Sequence, residues 1–182
     1  VILDLEDAVA TSDKAAARKP VAEALRGPRR CRGYVRPNAP ASPFCYRDLV
    51  ETIHDKVDGV VLPKVESAAD LHAVDWLLAA LERERGLTEG SIDLIPMVET
   101  AAGVARVDRI LQAISEMVAE TLDSSACSLI LVDAERRAEK QYCYPDVAGK
   151  SGLASAFSVP LMVRDKVIGA INIHTRDERV FT

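Results

Sequence analysis

A chain of 182 residues, 48% hydrophobic and 28% charged, has room for one domain or two small ones and the composition of an ordinary globular protein. Its net charge of −5 is spread over both halves, so neither offers a basic face, and no nucleic-acid partner is expected. No apolar run approaches the ~18 residues of a membrane span, which excludes a membrane partner of that kind.

The four cysteines form no C-x-x-C pair and none of the three histidines lies near one, so free thiols are expected rather than structural zinc. With no secretory signal opening the sequence, this predicts a reducing, cytoplasmic location. Val1-Ile2-Leu3 reads as the middle of a buried strand, so the sequence is expected to be internal to a longer chain.

In chain order, residues 1–5 (VILDL) form a first apolar run followed by an acidic loop. Ser12 is placed to cap a helix running to about Leu25, stopped by Gly27-Pro28, with Pro20 expected to kink or split it. Arg26, Arg29, Arg30 and Arg32 then read as a solvated turn. A second strand is predicted over Cys31–Val35, and a helix over Tyr46–Lys56 after a Pro-rich loop. Gly59–Leu62 is continuous and apolar, as expected for a strand covered on both faces. Ser67-x-x-Asp70 is a capping-box variant opening a helix that Gly86 ends, and Ile92–Val98 is the fourth strand.

These strands recur about every 30 residues, the length of a βα unit, and predict a parallel sheet with right-handed crossovers. Polar residues gather immediately after each strand: Glu6 and Asp7, Arg36 and Asn38, Lys64 and Glu66, and Glu99. That is the pattern of a TIM-type (β/α) barrel, whose chemistry lies at the carboxyl ends of its strands. A flavodoxin-like sheet would distribute polar residues similarly, but no Gly-rich phosphate loop follows any of these strands.

From Thr100 to Leu122 a single continuous helix is predicted, with an apolar stripe at Val104, Val107, Leu111, Ile114 and Val118. The stripe serves either intramolecular packing or a parallel dimer seam, so a homo-oligomer is one expectation. Cys127–Val132, Glu139–Tyr144, Phe157–Arg164 and Val167–Thr175 are strand-like, with Arg164-Asp165-Lys166 as a tight turn, and predict an antiparallel sheet. The domains are therefore drawn at 1–111 and 112–182.

The strand-end residues form a constellation suited to a hard cation and an anion: converging acids for the first, an arginine for a carboxylate or enolate. Taken singly, they have plainer readings. Glu6 and Asp7 suit a helix cap or a wet loop, Lys64 and Glu66 suit a mutual pair, and Glu99 suits a helix N-terminus stabilised by its dipole.

Four strings in order, VILDLEDAV, YVRPN, VLPKVES and PMVETAAGV, resemble the citrate lyase β-subunit and malyl-CoA lyase group of CoA-ester lyases. The resemblance covers about 105 residues, well under half of a typical ~250-residue barrel. It implies Mg²⁺-dependent Claisen-type cleavage of a 3-hydroxyacyl-CoA, such as malyl-CoA or citramalyl-CoA, to an acyl-CoA and a 2-keto acid. It also implies that Glu99 binds the metal and that Arg36 polarises the substrate carbonyl and steadies the enolate. Glu6 and Asp7 match the acidic pair that orders metal waters, while Asn38, Lys64 and Glu66 match substrate-pocket positions. The family's second metal carboxylate, from the next strand, has no counterpart here, so the chain by itself is expected to be inactive. Residues 112–182 resemble a shortened GAF domain, a sensory or dimerising module, through LQAISEMVAETLDSSACSLILVD and SVPLMVRDKVIGAINIHTRDERVFT.

Overall fold

A computed structural model describes residues 1–121, 126–132, 138–144, 155–163 and 166–175. Its first four strands are β1 (Ile2–Asp4), β2 (Tyr34–Arg36), β3 (Gly59–Leu62) and β4 (Asp93–Pro96). They pair in parallel in the order β1-β2-β3-β4, forming part of a (β/α) barrel. Between them lie α1 (Lys14–Arg26), α2 (Cys45–Thr52) and α3 (Ala68–Glu84). All four residues of β3 are buried, and Leu5, Val35, Leu49, Val60, Leu62, Val65 and Leu71 form the core around it. Central parallel strands lose water on both faces, which is why they read as uninterrupted apolar runs.

After β4 come α4 (Ala101–Ala105) and α5 (Val107–Thr121), then β5 (Ala126–Val132), β6 (Ala138–Tyr144), β7 (Ser155–Val163) and β8 (Lys166–Thr175). These last four strands form an antiparallel sheet in the order β6-β5-β8-β7. The chain divides into two compact units after Val107. No helix among the described residues is long and apolar enough to cross a membrane. The expected turn residues Arg164 and Asp165 lie outside the described residues.

Several local expectations are corrected. Pro20 lies inside α1 without dividing it. The helix buries Lys14, Arg18, Ala22 and Leu25 on one face, and that packing outweighs the one lost backbone bond. Ser12 does not cap it: the N-cap is Asp13, and the Ser12 hydroxyl donates to the Asp13 carboxylate instead. The second strand begins at Tyr34 rather than Cys31, because pairing starts where Ile2 meets Tyr34. Gly33 just before it packs so tightly on Arg29 and Leu25 that a β-carbon would collide with both. Arg29 is no free loop residue: it pairs with Asp58 at 2.7 Å and donates to the Leu25 and Lys56 carbonyls. The capping box at Ser67 and Asp70 is present, and Gly86, at φ 68°, follows the end of α3.

The continuous helix over residues 100–122 is overturned. It breaks at Arg106, whose N–H bonds back to the Gly103 carbonyl, three residues away, closing α4 in a tightened turn. Restarting the helix changes the face it buries. Ile110, Ala113, Ser115 and Ala119 are buried in α5, whereas Val104 of the expected stripe is exposed.

Candidate active site

Every strand of the parallel sheet ends in a charged segment, and parallel pairing brings these ends to one edge. Asp4, the last residue of β1, lies in register with Arg36, the last residue of β2. The Arg36 guanidinium grips the Asp4 carboxylate with two nitrogens, Nε at 2.8 Å and a terminal nitrogen at 2.5 Å. Such fork-to-fork bonding fixes the plane of the guanidinium as well as its position. Asp4 also accepts the backbone N–H groups of Glu6 (2.8 Å) and Ala8 (3.1 Å), so one carboxylate orients both the arginine and the following loop. The Arg36 contact holds the Asp4 carboxyl below its ordinary range and raises the arginine in return.

A buried network supports this corner from below. Lys14 Nζ donates to the carbonyls of Leu5 (3.0 Å) and Glu6 (2.8 Å), and Asn38 Nδ2 donates to the Leu5 carbonyl (3.0 Å). Asp48, fully buried on α2, accepts from Asn38 Nδ2 at 2.6 Å, from the Asn38 backbone at 2.9 Å and from Arg18 Nε at 2.8 Å. The Asn38 side chain is buried, and its amide nitrogen is committed to this scaffold.

The opposite corner is built differently. Pro63 offers no N–H, and Lys64 after it adopts φ 51°, the left-handed region that a residue with a β-carbon rarely enters. Two bonds hold it there: Lys64 N–H donates to Glu99 Oε1 at 3.1 Å, and Val65 N–H donates to the Met97 carbonyl at 3.0 Å. The Lys64 side chain returns toward β1, placing Nζ 2.8 Å from Glu6 Oε1 and 3.5 Å from Asp7 Oδ1. Contact with Glu6 is the chief reason the Lys64 ammonium is raised above its ordinary range. Glu66 engages through its backbone, its N–H donating to Asp70 and its carbonyl accepting from Arg106. Thr100 caps α4, and Gly103 is required there because a β-carbon would strike the Val65 carbonyl.

Glu6 is the chemically distinctive member of the group. It is only 5% exposed, yet neither of its carboxylate oxygens accepts a directed hydrogen bond. Its neighbours are the Lys64 ammonium, close but off-angle, and Arg36 Nε at 4.0 Å. A desolvated carboxylate without directed donors is costly unless a cation faces it. No group of three or more His, Cys, Asp or Glu side chains among the described residues forms a ready metal cage. A hard ion that keeps most of its water needs only one or two protein carboxylates, and Glu6 and Glu99 fit that requirement.

The structure thus brings Glu6, Asp7, Arg36, Lys64 and Glu99 to one end of the sheet and leaves Asn38 beneath it. Sequence reasoning missed Asp4, hidden inside an apolar run, and missed Lys14, Arg18 and Asp48, which lie on helices as apparent surface charges. Their spacing offers one signal: Lys14 and Arg18 are four residues apart and occupy the buried stripe of α1.

Four parallel strands with acids and an arginine at their carboxyl ends make up a (β/α) barrel segment with a charged end. A family model described as HpcH/HpaI aldolase/citrate lyase matches residues 1–125, and the chain belongs to that family. It is 41% identical over 128 residues to the L-malyl-CoA/β-methylmalyl-CoA lyase of Cereibacter sphaeroides (strain ATCC 17029 / ATH 2.4.9), covering 68% of this chain and 40% of that protein. It is 33% identical over 120 residues to the citrate lyase subunit β of Haemophilus influenzae, covering 65% of this chain and 41% of the relative. The chain therefore spans about two-fifths of the length of the curated relatives it matches. Malate synthase of Haloferax volcanii, in its ternary complex with pyruvate and acetyl-CoA, aligns with a TM-score of 0.55 at 18% identity. That alignment covers 64% of this chain and 34% of the other, a likeness of fold.

Proposed function

We propose that residues 1–99 carry the metal- and keto-acid-binding part of a Mg²⁺-dependent carbon–carbon lyase acting on a 3-hydroxyacyl-CoA such as malyl-CoA or citramalyl-CoA. The observation that carries this reading is the meeting of the Asp4–Arg36 pair with Glu6, Lys64 and Glu99 at the carboxyl ends of parallel strands. Cleavage in that class breaks the bond between the carbinol carbon and the carbon next to the thioester. The hydroxyl loses its proton and becomes the keto carbonyl, and the electron pair passes to the thioester enolate, which takes up a proton.

Arg36, locked in plane by Asp4, is suited to the developing negative oxygen. Glu99 would hold the metal ion, with Glu6 and Asp7 facing its waters, and the ion would act as Lewis acid and template for the keto acid. β5 pairs with β6 and β8 rather than with β4, so no fifth parallel strand among the described residues adds a second metal acid. Binding without turnover is therefore the expected behaviour of this chain. Isothermal titration with glyoxylate should show binding that needs Mg²⁺ and disappears in Glu99→Gln. Glyoxylate binding that ignores Mg²⁺, or that survives Glu99→Gln unchanged, would refute the reading. Malyl-CoA and citramalyl-CoA should undergo no cleavage above background.

A second reading, a GAF-type sensory or dimerising module without catalysis at residues 112–182, rests on the sequence resemblance alone.

A further inference from the structure

We propose that Lys64 is a tethered counter-cation, whose ammonium neutralises the acid end of the site until a divalent metal ion displaces it. The proposal rests on the lyase reading above and adds a competition internal to the chain.

Charge arithmetic is the first support. Asp4, Glu6, Asp7 and Glu99 bring four carboxylates to this end, against the two cations Arg36 and Lys64. Arg36 is committed to Asp4 by two bonds, so it does not serve as the movable charge. Lys64 Nζ is the nearer cation to the two acids that follow β1: it bridges Glu6 and Asp7, whereas Arg36 Nε stands 4.0 Å from Glu6.

Geometry is the second support. The ammonium approaches Glu6 Oε1 to 2.8 Å but outside the angle of a directed hydrogen bond, the contact of a point charge rather than of a built-in partner. Its side chain is 42% exposed, so it can swing into water at little cost, whereas the Glu6 side chain is 5% exposed and stays in place. The third support is the backbone. A left-handed φ at a residue with a β-carbon persists only where its surroundings enforce it, and here the Glu99 carboxylate is one of the enforcing groups. Lys64 therefore touches the proposed metal acid through its main chain and the facing acids through its side chain. An ion drawn to Glu6 would meet the ammonium already seated there. Once displaced, that ammonium would remain beside the anionic keto acid the ion brings.

Mn²⁺ serves as the probe, with unbound ion counted by its electron paramagnetic resonance signal in wild-type protein, Lys64→Met and Lys64→Arg. Lys64→Met should bind Mn²⁺ about three- to tenfold more tightly, the scale of a screened charge pair removed, and Lys64→Arg should stay near wild type. Equal or weaker binding by Lys64→Met overturns the proposal. Binding by none of the three proteins removes the metal reading itself and this inference with it, an outcome distinct from equal binding. Far-UV circular dichroism confirms the fold of each variant, and Lys64→Gln carries the same expectation if Lys64→Met fails to fold.

Discussion

The two corners of the charged sheet end are held by different means. At the β1–β2 corner, Arg36 is clamped by Asp4, and the strand ends rest on the buried chain of Arg18, Asp48, Asn38 and Lys14. At the β3–β4 corner, Lys64 is held by one backbone bond to Glu99 and by the ion pairs of its half-exposed ammonium with Glu6 and Asp7, with its own backbone in an unfavourable region. Under the proposed function, the first corner presents Arg36 to a substrate in fixed geometry, and Lys64 at the second exchanges partners when a ligand arrives. Rigid placement comes from desolvated, fully bonded charges, and adaptability from charges left half in water.

The sharpest way to break the comparison is to remove the foundation of the rigid corner. Asp48→Ala strips the partner from a buried guanidinium and from the Asn38 amide, and should cost about 3–5 kcal/mol in denaturant unfolding. A loss below 1 kcal/mol would show that Arg18 finds an equivalent partner, with Glu51 (3.2 Å away) the obvious one.

A smaller effect is expected one layer up. Asp4→Asn keeps the shape but weakens the charged bonds to Arg36, and should cost about 1–2 kcal/mol. The Asp4 carboxyl is held below its ordinary value of 3.8, so its stabilising contribution is complete above that pH. It is lost as pH falls through the lower folded value. Wild-type stability should therefore decline as pH falls below 3.8, and Asp4→Asn should flatten that part of the pH–stability curve. An unchanged curve would mean that Asp4 is not the group whose protonation loosens the corner. Smallest of all should be the effect of Asp7→Asn on thermal unfolding, since its ion pair with Lys64 is exposed at both ends and screened.

Much of this was legible in the sequence. The parallel strands showed as apolar runs at βα spacing because central strands are dry on both faces, and the polar residues that gather at their carboxyl ends stood out because strand ends reach water where strand middles do not. The supporting network was illegible for the complementary reason. Lys14, Arg18 and Asp48 are charged residues in helices, and composition alone assigns such residues to water. Only the packing shows that they point inward and satisfy one another. Asp4 was lost inside an apolar run, although its place at the end of β1 makes it the partner of Arg36. The left-handed turn at Lys64 has no glycine to announce it, since it is imposed from outside by Glu99 and the Val65–Met97 bond. The helix break at Arg106 was hidden too, because every residue there tolerates a helix and the turn is closed by a bond to Gly103.

Under the proposed function a hard cation binds at the carboxyl end of the parallel strands, where Glu6 and Glu99 lie. Paramagnetic broadening of backbone amide resonances by substoichiometric Mn²⁺ tests it directly, because the effect falls off steeply with distance from the ion. Selective broadening is expected at residues 5–7, 64–66 and 99–100, with the amides of Gly33, Asp58 and Asp93 at the other end of the strands unaffected. Broadening centred on Asp58 and Asp93, or spread evenly over the acidic surface, would contradict it.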